Sequence, residues 1–215
     1  MASEIQMRRN YRKRRRAEQE AETRRRITEA AVKLHGTVGP AKTTVSGIAR
    51  EAGVQRATVY RHFPDEEAIY EACTSHYNAL HPPPDLERWT SRADPEERLR
   101  VALRELYGFY AETQQMLEST GRDVDRVPAL RREAAAMAAY LEQARSVLLR
   151  GRRERGRARE LVAAAIGHAL AFPTWRSLVR EQGLGDEEAV ELMVSLVASS
   201  GTRRSARPAT ARLGA

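Results

Sequence analysis

Apolar residues in the first third of the chain recur at helical spacing. Ile27, Ala30, Ala31 and Leu34 fall at i, i+3, i+4 and i+7, one stripe of a helix from about Glu18 to His35. Gly36, Gly39 and Pro40 end it. Val45, Ile48 and Ala49 then mark a shorter helix whose start Thr43 or Thr44 can cap. Gly53, directly after Ala52, suits the left-handed residue that commonly closes a helix, and Val54 is the apolar plug behind that turn. A second short helix runs from about Gln55 to His62 with Val59 and Phe63 inward, and Pro64 stops it. Asp65 caps a third, with Glu66 and Glu67 in its first turn, where the helix dipole favours them. Ala68, Ile69, Ala72, Cys73, His76 and Tyr77 form its packed side to about Tyr77 or Ala79.

Pro82-Pro83-Pro84 is a stiff spacer and the natural domain boundary. Beyond it no alternating strand pattern appears. Asp94-Pro95-Glu96-Glu97 opens a helix faced with Leu99, Val101, Ala102, Leu103, Leu106, Phe109 and Tyr110. A break is expected from Gly121 to Pro128, then a helix carrying Leu130 through Leu148 that ends before Gly151. Residues 157–181 read as a helix that Pro173 kinks or interrupts, and the last helix runs from Asp186 to about Ser199. That final helix carries two stripes, Val190, Met193, Val194 and Val197 on one and Leu192 and Leu196 on the other, so it needs two partners. Small residues Ala163, Ala164, Ala165 and Gly167 in the preceding helix permit close approach. The expected organisation is all-α: a basic disordered arm (1–17), a three-helix domain (18–80), a second helical domain (85–200) and a disordered tail (201–215).

Two short helices joined by a glycine turn are a helix-turn-helix, a device for placing a helix in the major groove of DNA. Its second helix turns small residues inward and presents Arg56, Thr58, Tyr60, Arg61 and His62, donors for phosphates and base edges. The plainer alternative is a solvated helix face. Charge placement bears on the choice. The net charge is +8, yet residues 1–62 hold 15 Lys and Arg against 6 Asp and Glu, and the remainder 22 against 23. The positive field therefore belongs to the helix-turn-helix part. Arg8, Arg9, Arg12, Lys13, Arg14, Arg15 and Arg16 give an arm that follows phosphates, enters the minor groove or adds only unspecific affinity.

The run IAREAGVQRATVYRHFPDEEAIY resembles the DNA-binding domain of the TetR (tetracycline-repressor-like) family. The matching marks are the capping threonines, Ile48-Ala49, Ala52-Gly53-Val54, Thr58 and Tyr60-Arg61-His62-Phe63, within a match spanning about Arg24 to Tyr77. The resemblance implies backbone contacts from Thr44, Thr58, Tyr60 and His62, and groove-facing positions at Val45, Arg56, Ala57 and Arg61; Thr43, beside Thr44, is counted with the DNA-binding set. Two positions depart from the pattern: Val45, where the family often has a basic residue, and Glu66, where a lysine commonly clamps a phosphate. The resemblance further implies a C-terminal ligand-binding and dimerisation domain. Helices 157–181 and 186–199 would pair across a twofold axis into a homodimer, two heads reading a palindromic operator in double-stranded DNA. A small, largely apolar effector would bind among Tyr107, Phe109, Tyr110, Met116, Met137, Tyr140, His168, Phe172 and Trp175, although each of these is also an ordinary core residue.

Other classes find no support. There is no phosphate-cradling glycine motif, zinc signature or nucleophile elbow, and no cofactor or catalytic residue is expected. His76 and His81 do not share a helix face, so no metal site is expected. Cys73 is the only cysteine, more a small buried hydrophobe than a sensor thiol, and fits a reducing cytoplasm. No apolar run reaches the ~18 residues that cross a bilayer, and the basic N-terminus lacks the apolar stretch of a secretion signal. A dimeric repressor released by an effector is the leading expectation; a constitutive architectural DNA-binding protein is the alternative.

Overall fold

The structure, a computed structural model, describes residues 2–201, with side chains from residue 6 onward; the expected tail lies outside the described residues from 202 on. No strand occurs among the described residues. The helices are α1 (Ala2–Thr37), α2 (Val45–Glu51), α3 (Arg56–His62), α4 (Glu66–Leu80), α5 (Leu86–Thr90), α6 (Pro95–Asp123), α7 (Pro128–Leu148), α8 (Gly156–Leu170), α9 (Phe172–Arg176) and α10 (Asp186–Gly201). The chain divides into two compact units, residues 1–83 with 112–137, and residues 84–111 with 138–201 of the described part.

In the first unit, the buried residues of α1 to α4 form one core: Ile27, Ala30, Ala31, Val45, Ile48, Ala49, Ala52, Val59, Phe63, Ile69 and Cys73. Thr44 caps α2 by accepting from Gly47 N–H at 3.0 Å, whereas Thr43 turns back and donates to Gly39 O at 2.8 Å. Gly53 takes φ +65°, and Val54 N–H reaches Ala49 O at 2.9 Å across the turn, leaving Val54 half-buried. Asp65 caps α4 through Ala68 N–H at 2.8 Å. The loop before α2 is held from α6: Ser119 Oγ donates to Gly36 O at 2.9 Å, and the buried Asp123 carboxylate accepts from Ala41 N–H at 3.0 Å. Gly39, at φ +96°, lies so near that carboxylate that a Cβ would meet it at 2.7 Å.

The expected disordered arm is instead helical: α1 begins at Ala2 and runs unbroken through residues 2–17. Two features offset the like-charge repulsion. Arg14–Glu18 (2.9 Å) and Arg16–Glu20 (3.2 Å) pair one turn apart. The segment also extends a helix already nucleated by its packed C-terminal third, so each added residue needs no new nucleus.

In the second unit, Trp89, Leu99, Leu103, Leu106, Leu148, Ile166, Leu170 and Trp175 are among the largest fully buried side chains. Arg98 is buried without a carboxylate; its guanidinium donates to the carbonyls of Arg92, Ala93, Val147 and Arg150. Of the two outcomes expected at Pro173, the structure has the interruption, and the segment is three pieces. After α8, Ala171 is extended (φ −75°, ψ 131°); α9 follows, and residues Ser177–Glu181 form a π turn with Gln182 N–H on Ser177 O at 2.9 Å. Pro173 explains the break, since it cannot donate to the carbonyl of Ala169. Two tyrosines take over the freed acceptors: Tyr107 OH donates to Ala169 O at 3.0 Å and Tyr110 OH to Leu170 O at 2.6 Å.

Candidate nucleic-acid interface

α3 is a two-turn helix whose inward side chain, Val59, is fully buried, and Phe63 is equally buried just after it. Arg56, Ala57, Tyr60 and Arg61 are exposed, and Thr58 and His62 are half-buried. These residues therefore present one outward face braced by the core. Tyr60 is 40% exposed, so its ring is available rather than packed. Arg56 Nη2 donates to Tyr60 OH at 3.1 Å, and its guanidinium carbon sits 5.5 Å from the Tyr60 ring centroid. Arginine and tyrosine thus act as a pair one turn apart, and the hydrogen bond holds Arg56 above its ordinary pKa. His62 is pushed below its ordinary value by partial burial and then by Arg61 and Arg24, so its ring is neutral near pH 7.

Two arginines of α1 hold the short helices in place. Arg24 Nη1 donates to His62 O at 2.6 Å, and its guanidinium carbon lies 4.1 Å from the Phe63 ring centroid. Arg26 donates to Ala52 O and, at 3.3 Å, to Gly53 O. The last carbonyls of α2 and of α3 lack intrahelical donors, and a cation there also complements the helix dipole. Nothing in the local pattern reveals this, because the partners lie 26 to 38 positions away.

Val45 requires a correction. It was expected to face the groove, but its side chain is 5% exposed and belongs to the core. Ser46 is the exposed residue of that turn, and Thr44 is exposed beside it. The valine is apolar where the family often carries a basic residue, and the helix rotates it inward with Ile48 and Ala49. Thr43 is half-buried, its hydroxyl committed to the loop. Glu66 is exposed at the start of α4, adding negative charge where Asp65 already caps the helix.

The buried His35 and Cys73 cluster with the half-buried Tyr70 behind the helix-turn-helix. His35 Nδ1 lies 3.2 Å from Cys73 Sγ, and its ring stacks on Tyr70 at 4.8 Å between centroids. Burial lowers His35 to about 4 and raises Cys73 to about 12, so both are neutral and the thiol is inert.

Within the second unit, the aromatic residues expected to line an effector pocket pack against one another. Tyr107, Tyr110 and Trp175 are fully buried, with both tyrosine hydroxyls committed to backbone carbonyls. Phe172 packs edge-on to Tyr110 at 5.3 Å and lies 5.6 Å from Trp175, closing the group as an aromatic core. Tyr140 is half-buried and donates to Pro84 O at 2.8 Å; His168 is exposed, 3.3 Å from Thr174 Oγ1. Met137 belongs to the other compact unit. A cleft of about 760 Å³ does exist in the second unit, but Leu86, Glu87, Thr90, Glu142, Gln143, Ser146, Val147 and Arg150 line it. Among the described residues no group of three or more His, Cys, Asp or Glu is placed to hold a metal, and no helix is long and apolar enough to cross a membrane.

On α10, Ala189, Val190, Met193, Val194 and Val197 are buried, largely against α8, while Leu192 and Leu196 are 46% and 43% exposed. The first stripe is satisfied within the chain and the second is not.

Residues 27–73 match the model of the bacterial regulatory proteins of the tetR family. No curated protein matches the chain in sequence. Among solved structures, a TetR-like transcriptional regulator from Rhodococcus sp. RHA1 is similar in fold. Its TM-score is 0.58 at 19% identity, covering 82% of this chain and 93% of that one. The TetR family transcriptional regulator PfmR from Thermus thermophilus gives 0.57 at 24% identity, covering 83% and 99%.

Proposed function

We propose that this chain, whose residues 27–73 match the model of the tetR family of bacterial regulatory proteins, is a member of that family and a dimeric cytoplasmic repressor that leaves a palindromic operator when a small effector binds. The observation that carries the DNA-binding half is the exposed donor face of α3, with Arg56, Thr58, Tyr60 and Arg61 outward and Val59 and Phe63 anchoring it. Arg56 and Arg61 would reach base edges. Thr44, Thr58, Tyr60 and His62 would fix the register on phosphates.

Dimerisation would proceed through the exposed Leu192–Leu196 stripe of α10 with the neighbouring surface of α8, placing two heads about one DNA turn apart. The effector would be largely apolar and enter where Tyr110, Phe172 and Trp175 meet, at the backbone break of Ala171 and beside the π turn. Such irregular backbone can repack without breaking a full helical ladder. Ligand-biased states of different head spacing would suffice for release.

Purified protein mixed at low salt with DNA from upstream of its own gene tests the reading. A retarded complex protecting a palindrome is expected, and no shift at any protein concentration would overturn it. A second reading, an architectural protein without an effector, is favoured by one observation: the aromatic group is closely packed and its polar atoms are already paired. Uniform coating of DNA in a footprint would select that reading.

A further inference from the structure

The N-terminal extension of α1 has a basic face on the side of the helix that carries the reading head. Every side chain from Gln6 to Glu22 is exposed, so among the described residues the extension packs on nothing. Among the described residues, Arg9, Arg12, Lys13 and Arg15 have no carboxylate partner. At 3.6 residues per turn these four fall within about 160° of arc. Projected along the same helix, Ile27, Ala30, Ala31 and Leu34 fall within that arc, and they are the residues packed against the core of the helix-turn-helix. The basic stripe therefore lies about 18 to 27 Å beyond Ile27, at 1.5 Å per residue. Where the overhang begins, Arg24 is bonded to the last carbonyl of α3, so it departs from beside the end of the recognition helix.

We infer that residues 2–23 are a helical clamp for the DNA backbone, laying Arg9, Arg12, Lys13 and Arg15 on phosphates that flank the bases read by α3. This rests on the DNA-binding reading above and adds where the extension goes. Its helical form decides between the two placements left open by the sequence. A helix with side chains is about 10 Å across and does not enter a minor groove about 6 Å wide. It lies along the backbone instead, contributing affinity and footprint length but no base preference.

Two full-length variants test this. In Arg9→Gln/Arg12→Gln/Lys13→Gln/Arg15→Gln the changed side chains are exposed and unpaired among the described residues, so the fold is expected to persist. If all four charges meet phosphates, the slope of log affinity against log salt falls by about 3.6 per chain. The affinity lost between about 50 and 200 mM salt then shrinks by roughly 150-fold. The footprint shortens at its outer ends while the ranking of operator sequences stays unchanged. Ala17→Pro keeps every charge but interrupts the helix, and is expected to shorten the footprint likewise. An unchanged slope in the fourfold variant, with the parent still binding, overturns the clamp. A fourfold variant that responds while Ala17→Pro does not overturns it in favour of a flexible charged tail. A changed sequence ranking overturns the backbone placement. A parent that binds no DNA overturns the proposed function itself, and is thereby told apart from the other failures.

Discussion

Acid is expected to loosen the reading head through His35. The ring is 4% exposed, stacked on Tyr70 and paired with Cys73 in the core of the first unit. Burial lowers its pKa from the ordinary 6.5 to about 4. Between those values the unfolded chain binds a proton that the folded chain refuses, so stability is full above pH 6.5 and declines as the pH falls toward 4. The predicted loss for this one group is about 1.4 kcal/mol at pH 5.5 and about 2.6 kcal/mol at pH 4.5, relative to pH 8. Out of a total folding stability of about 5–15 kcal/mol this is a large share. Urea unfolding followed by helical circular dichroism at pH 8, 5.5 and 4.5 measures it. The comparison is with His35→Phe, which keeps an aromatic ring on Tyr70 but cannot titrate. Carboxylates and other histidines act equally in both proteins, so the difference between the two pH profiles isolates His35. Parallel profiles between pH 8 and 4.5 would refute the reasoning, because they would mean that the ring protonates in place without cost.

Three further outcomes follow from described contacts. Arg98→Ala removes the guanidinium shared by the part-buried carbonyls of Arg92, Ala93 and Arg150 and by Val147 O, and is expected to cost about 1–3 kcal/mol in urea unfolding; no measurable loss would contradict this. Arg56→Ala should cost about 1–3 kcal/mol of operator affinity and relax sequence preference. Because Tyr60 OH accepts from Arg56, a cycle with Tyr60→Phe should show a coupling of about 0.5 kcal/mol or more, and strict additivity in binding titrations would deny that the two act as a pair. Leu192→Glu with Leu196→Glu alters only exposed positions, so the protein should stay folded but sediment as a monomer. A variant that remains dimeric would move the interface elsewhere.

The reading head was legible because its punctuation is local. Thr44, Gly53, Pro64 and Asp65 each act within a turn of their own position, and the structure uses Thr44, Gly53 and Asp65 as caps or turn residues. What escaped lies farther apart in the chain. The roles of Arg24 and Arg26 depend on carbonyls that only the folded chain brings near. Trp89 and the short α5 were missed, since five residues carry too little periodicity to register, and the tryptophan is fixed by Glu105, whose carboxylate accepts from its Nε1 at 2.7 Å. Pro173 announced a distortion, but nothing in its neighbours foretold that two tyrosines of another helix would take the freed acceptors. The close packing of the residues expected around an effector was hidden for a related reason. Large aromatic residues mark a cavity wall and a filled core equally well, and only the distances among Tyr110, Phe172 and Trp175 separate the two. Val45 shows the limit of positional resemblance: the side chain itself, being aliphatic, decided for the interior.

The two arginines that tie α1 to the ends of α2 and α3 carry an implication for electrostatics. A guanidinium held by backbone oxygens of its own molecule keeps its charge but loses its freedom to reach a phosphate. Arg24 and Arg26 are therefore expected to contribute less to the salt dependence of DNA binding than the arginines that extend freely from the same helix. What the molecule gives up in grip it recovers as a fixed pitch between the two rods of the turn.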